Sequence, residues 1–137
     1  MKLAAAMFLA AVPASAQQSP LTFEGGKLLP LASGQWSYFA TADGSIAMYG
    51  TQIQLRCERT ARTVIIARPN AAPAALTIAT DSLSRTLPPG GRLMADDPLL
   101  DAMAFSRGRF IASGGGGPTI AVPSWPEAAR SIEDCRN

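Results

Sequence analysis

The chain has 137 residues, with 12 basic and 10 acidic side chains, no histidine and a net charge of +2. A charge so near neutral gives no electrostatic ground for nucleic acid or an anionic membrane as partner. Without histidine, Ser-His-Asp and Cys-His catalysis and any imidazole metal site are excluded.

The first sixteen residues read as an export leader rather than as part of the fold. Met1-Lys2 is a short positive region, and Leu3 to Val12 is an apolar run of about ten residues, too short to span a bilayer. Ala14-Ser15-Ala16 is a small-x-small cleavage pattern, which places the start of the mature chain near Gln17. No other run is apolar and long enough for a transmembrane segment. The expected location is therefore periplasmic or secreted. What remains is the size of one domain.

Two cysteines in an exported chain are expected to form one disulfide, Cys57 to Cys135. Closing a loop of that length constrains the unfolded chain by roughly 4.5 kcal/mol in the chain-entropy model. Two free thiols are the alternative, and two cysteines alone are too few ligands for a zinc site.

Residues 17–33 are polar and contain glycine and proline, so they are expected to be a flexible lead-in or a short edge strand. From residue 34 to 137 the pattern is that of a single β domain. Gln35–Thr41 is aromatic-rich and suits a strand. Asp43-Gly44 is a two-residue hairpin signal, and Ser45–Gly50 is the returning strand. Thr51–Glu58 alternates, with Ile53, Leu55 and Cys57 on one face and Gln52, Gln54, Arg56 and Glu58 on the other. Arg62–Arg68, Ala74–Thr80, Leu83–Leu87 and Arg92–Ala95 follow as short strands.

Asp96-Asp97-Pro98 is a helix-start signal for a short helix near 97–103. Phe105–Ala112 then reads as a strand with a central glycine, and Pro118–Pro123 as the last strand. The C-terminal helix is expected near 124–135. Ser124 would cap it, Glu127 would complete a capping box and Pro126 would sit in the first turn. Trp125, Ala128, Ala129, Ile132 and Cys135 would form its apolar face. The sum is a mainly β chain: an antiparallel β-sandwich or open barrel of about eight short strands with two short helices.

Chemistry-bearing residues are few. Asp96, Asp97 and Asp101 form the acidic cluster, read as a helix cap plus a solvated charge in preference to an acid pair or calcium site. Lys27, the one lysine beyond the leader, lies in the lead-in, a poor place for a Ser-Lys dyad. Gly114–Gly117 is followed by proline and a strand, so a hairpin loop fits better than a phosphate cradle. Trp36, Tyr38 and Tyr49 are read as core, with an exposed aromatic platform as the alternative. Arg56, Arg59, Arg62 and Arg68 cluster in sequence. Arg107 and Arg109 flank Gly108 and, on a strand, would project to one side as a site for an anion or an acidic partner; the alternative is a solvated face. No catalytic residue, cofactor or metal ligand set is expected.

The run from Asp97 to Phe110, with Pro123-Ser124-Trp125-Pro126-Glu127 and Ile132-Glu133-Asp134-Cys135-Arg136, resembles small uncharacterised exported proteins of sphingomonad-type alphaproteobacteria over residues 34–136. The layout is also similar, more distantly, to the invasion-associated locus B family. Those proteins are exported β-sandwiches with a mid-chain strand cysteine, a late Phe-containing strand and a final helix. The extra cysteines often found in that family are missing here. Neither resemblance supplies catalytic residues. Both imply an envelope-associated accessory protein, and the function expected for this chain is that of a non-enzymatic periplasmic module that binds an envelope protein or glycan. A small-ligand carrier or an inhibitor of an envelope enzyme is the alternative, with Ala112–Pro118 as its candidate exposed loop.

Overall fold

The computed structural model describes residues 21–137; the expected leader (1–16) and residues 17–20 of the lead-in lie outside the described residues. The described residues form two antiparallel sheets with three short helices, a β-sandwich rather than a closed barrel. The first sheet holds β1 (Trp36–Thr41), β2 (Gly44–Tyr49), β3 (Ile53–Glu58), β4 (Thr63–Ala67) and β7 (Arg92–Met94), in the order β1-β2-β3-β4-β7. The second holds β5 (Leu76–Ala79), β6 (Ser84–Leu87), β8 (Arg109–Gly114) and β9 (Gly117–Pro123), in the order β6-β5-β8-β9. The helices are α1 (Phe23–Gly26), α2 (Pro98–Phe105) and α3 (Pro126–Asp134). No helix among the described residues is long and apolar enough to cross a membrane.

Strand alternation builds the core. Ile53, Leu55 and Cys57 of β3 face inward as their period-two spacing predicts, opposite Tyr49, Ala47 and Ser45 of β2. Ile78, Phe110, Ala112, Ile120 and Val122 answer them from the second sheet. Trp36 is also buried; its indole donates to the Pro123 carbonyl at 2.7 Å and its ring tilts against Tyr49 with centroids 5.5 Å apart. The Tyr49 hydroxyl donates to the Ala32 carbonyl. Both rings are core, not platform.

Helix α3 lies across one end of the first sheet, fastened to it by the Cys57–Cys135 disulfide, whose Cα atoms are 5.5 Å apart. Its buried stripe is Ala128, Ser131, Ile132 and Cys135. Ser131 enters this stripe because its hydroxyl accepts from the buried Ser45 hydroxyl at 3.1 Å. The expected cap does not form. A residue before proline is driven to extended backbone, so the helix cannot start ahead of Pro126. Trp125 takes the N-cap position with no side-chain cap bond, and its ring is half-exposed instead of joining the apolar face. Ser124 and Glu127 make no capping box.

The first hairpin also differs by one residue. Its turn is Ala42-Asp43, and Gly44 already pairs with Thr41 and Glu58. The Asp43 carboxylate instead accepts from the Thr60 amide and hydroxyl. Gly44 passes so close to β3 that an added Cβ would sit 2.4 Å from the Cys57 carbonyl oxygen and 2.9 Å from its sulfur. Glycine is what lets β2 run beneath the disulfide.

The lead-in is not loose where it is described. Thr22 caps α1, and Phe23 is buried on Ala79, Ile111 and Ala121, the outward residues of the second sheet. Leu31 then bridges in parallel to Ala121 at the β9 edge. The segment therefore covers one outer face of the sandwich and shields one edge.

Replacing Cys57 and Cys135 together with alanine should lower the unfolding free energy by roughly 3–5 kcal/mol, because a loop with a sequence separation of 78 regains its freedom in the unfolded chain. Urea unfolding of the oxidised protein and the double variant measures this. A loss under about 1 kcal/mol would show that packing alone holds α3.

Candidate functional site

The two arginines flanking Gly108 do not form a joint site. Gly108 takes a left-handed conformation (φ +73°) and the chain bends over residues 106–108, so β8 begins only at Arg109. The Ser106 hydroxyl closes the bend by donating to the Arg109 carbonyl at 2.6 Å. Arg107 is left almost fully exposed, 3.7 Å from Asp81. Arg109 turns to the lead-in and donates to the Leu29 carbonyl at 2.5 Å and the Gly26 carbonyl at 3.4 Å. Its guanidinium holds the α1 segment on the second sheet.

The acidic cluster is likewise structural. Asp97 accepts from the Leu99 amide as N-cap of α2 and from Arg85 at 2.6 Å. Burial pushes the Asp97 carboxyl up, but these hydrogen bonds and the Arg85 charge outweigh it and hold it below the ordinary value of 3.8. Asp101 pairs with Arg136 at 2.8 Å. No group of three or more potential metal ligands exists among the described residues.

The arginines clustered in sequence are dispersed in space. Arg59 donates to the Asp134 carbonyl at 3.1 Å, at the C-terminal end of α3. The Asp134 carboxylate accepts from the Tyr38 hydroxyl, and Arg130 lies over the Tyr38 ring, 4.0 Å from its centroid. Burial again raises the Asp134 carboxyl, and the Tyr38 hydrogen bond with the Arg59 and Arg130 charges reverses this to a net depression. Arg62, with φ +51°, lines an open hollow of about 340 Å³ together with Met94, Ala95, Asp96, Cys135 and Arg136. Asp96 beside it, and the pairing of Arg136 with Asp101 and Glu133, leave that hollow electrically mixed.

Ala112–Pro118 is not a long exposed loop. It is the tight β8–β9 hairpin, with Gly115 and Gly116 at its tip. Arg68 follows β4 and is buried against this hairpin. It donates from one nitrogen to the Ala112 carbonyl at 3.2 Å and the Pro118 carbonyl at 2.5 Å.

What stands out instead is the outer face of the first sheet. The register lines up Phe39, Ile46, Arg56, Ile65 and Arg92 as one row across all five strands. Met48 lies in the row on one side and Met94 in the row on the other. Phe39 and Met94 are more than half exposed, and no described segment covers the face. The matching face of the second sheet is covered by α1. The sequence carried one sign of this: Val64-Ile65-Ile66 is apolar in both phases of β4, whereas a strand with one wet face alternates.

Arg109→Ala should lower stability by about 1–3 kcal/mol and speed hydrogen exchange over residues 21–31, while Arg107→Ala should stay within about 0.5 kcal/mol. Equal effects would contradict the assigned roles. Acid sensitivity has a definite sign. Asp97 and Asp134 are depressed in the folded chain, so the stability they confer is fully present above the unfolded carboxylate value and is lost as pH falls through their lower folded values. Unfolding midpoints should be flat from about pH 5 to 7 and fall below about pH 4. Asp134→Asn should flatten that acid limb.

Comparison of the chain with protein-family models, curated proteins and solved structures finds no match.

Proposed function

We propose that this chain is an exported, non-enzymatic binding module of the bacterial envelope, working in the periplasm or outside the cell. The leader-like residues 1–16 and the disulfide, which suits an oxidising compartment, support the location. The observation that carries the binding role is the uncovered outer face of the first sheet. Aromatic residues, methionine and arginine are the types enriched where proteins meet. Phe39, Ile46, Met48, Ile65 and Met94, with Arg56 and Arg92 among them, are that composition. The Arg92 charge is matched by Glu58 at 2.8 Å, whereas Arg56 has no carboxylate partner among the described residues.

Of the two partner classes, a protein fits better than a glycan. Sugar rings stack on exposed flat aromatic surfaces, and on this sheet the one exposed ring is Phe39: Trp36 and Tyr49 are buried, Arg130 covers Tyr38, and the exposed Phe105 and Trp125 belong to the ends of α2 and α3 rather than to the face. A partner with apolar side chains and an acidic rim would complement the face and its unmatched arginine.

A photoreactive residue placed at Phe39 or Met94 should crosslink one dominant envelope protein in intact cells, while the same residue at Thr119, on the second sheet, should not. Phe39→Glu with Met94→Glu should remove the capture and leave the melting temperature within a few degrees of the parent. Capture that persists in the double variant would sink the assignment.

A further inference from the structure

Beyond the partner face, the second position where charge and space are unmatched is Arg68. This side chain is 8% exposed. An arginine stays protonated at any ordinary pH, so a buried guanidinium calls for a counter-charge. None is present among the described residues: each ion pair uses another cation. One nitrogen bonds the Ala112 and Pro118 carbonyls, but Nε is buried with no partner at all. Burial pulls the guanidinium below its ordinary value, the direction expected for a cation left uncompensated.

The same arginine lines an open cleft of about 180 Å³ where β4 crosses to β5. Its other walls are almost wholly apolar: Ile66, Ala67, Ala71, Ala74 and Leu76, with backbone from the glycine hairpin. Two of the four glycines, Gly115 and Gly117, have a physical reason here. A Cβ on Gly117 would sit 2.8 Å from Arg68 Cδ, and one on Gly115 would sit 3.0 Å from Leu76 Cδ1 and 3.4 Å from Arg68 Nε. The missing side chains are what admit the arginine. The Gly115 amide already donates to the Ala75 carbonyl at 2.8 Å, so the hairpin supplies shape and the guanidinium supplies the charge.

We propose that the cleft beside Arg68 is a binding site for a small monocarboxylate with a short apolar chain. One cationic donor set in apolar walls matches an anionic head with a hydrocarbon tail. The volume equals about six waters, room for a carboxylate and a chain of about four or five carbons. A divalent or strongly hydrated anion such as phosphate would leave most of its oxygens unpaired against alanine walls.

The test is calorimetric titration and thermal shift of the full chain with sodium butyrate and hexanoate at constant ionic strength, with hexanamide and inorganic phosphate as comparators. Hexanoate should bind saturably and raise the melting temperature, while hexanamide and phosphate should give at least tenfold weaker effects. Arg68→Gln should abolish the response. Because loss of Arg68 also frees the hairpin carbonyls, Ala74→Phe provides an independent arm: Ala74 is exposed, touches none of the Arg68 bonds and would fill the cleft. It should reduce hexanoate affinity at least tenfold with the unliganded melting temperature unchanged. Phe39→Glu should leave hexanoate binding intact, which keeps this site separable from the partner face. Equal responses to hexanoate and hexanamide, no response to either, or undiminished binding in Ala74→Phe would overturn the proposal.

Discussion

The bond between Cys57 and Cys135 is the constraint on which the rest of the structure depends. It joins the inward face of a central strand to the last turn of a helix that lies a sequence separation of 78 away. A helix of nine residues is too short to be stable by itself, so its order comes from what holds it to the sheet. The disulfide fixes its end, and the Ser45–Ser131 pair and the Tyr38–Asp134 contact fix its rotation. With α3 in place one end of the sandwich is closed over Ala128 and Ile132. Gly44 is bound up with the same contact, since no other residue would let β2 pass under Cys57.

A second device recurs across the molecule. Arg59, Arg68, Arg109 and Arg136 each donate to backbone carbonyls of distant segments, at Asp134, Ala112 with Pro118, Leu29 with Gly26, and Ala95. A small sandwich with many loops leaves carbonyls at strand and helix ends unpaired, and a planar guanidinium can satisfy two at once. Lysine, with a single point charge on a flexible stem, does this less well. The preference for arginine beyond the leader therefore has a structural reason, whatever the base composition of the gene contributes. Of these four, Arg68 alone is buried, and it makes no ion pair among the described residues.

Seen from outside, the sandwich is asymmetric. Phe23 and α1 cover the second sheet, and Arg109 holds that cover down. The first sheet has no such cover among the described residues, and its outer rows carry Phe39, Ile46, Met48, Ile65 and Met94. One sheet is finished by the chain's own lead-in. The other carries its partly exposed apolar side chains with no cover from the described chain.

By itself the sequence determined the class of fold and the course of most strands. The alternation of Ile53, Leu55 and Cys57 set the inward face of β3, and the Asp97-Pro98 pair set the start of α2. The two cysteines had only each other as partners. These features are local or forced by count, so they can be read along the chain. Pro126 also places the α3 cap at Trp125 instead of Ser124 by a local rule, which the spacing of apolar residues masks. Tertiary structure decided the rest. The bend at Gly108 separated Arg107 from Arg109, and Arg109 found the lead-in instead. The Phe39 row depends on register across five strands, which no single strand reports. Arg68 depends on carbonyls and on glycines whose meaning lies in the atoms they lack. A backbone carbonyl is the same on every residue, so where a guanidinium binds one, no side-chain pattern marks the place until the chain has folded.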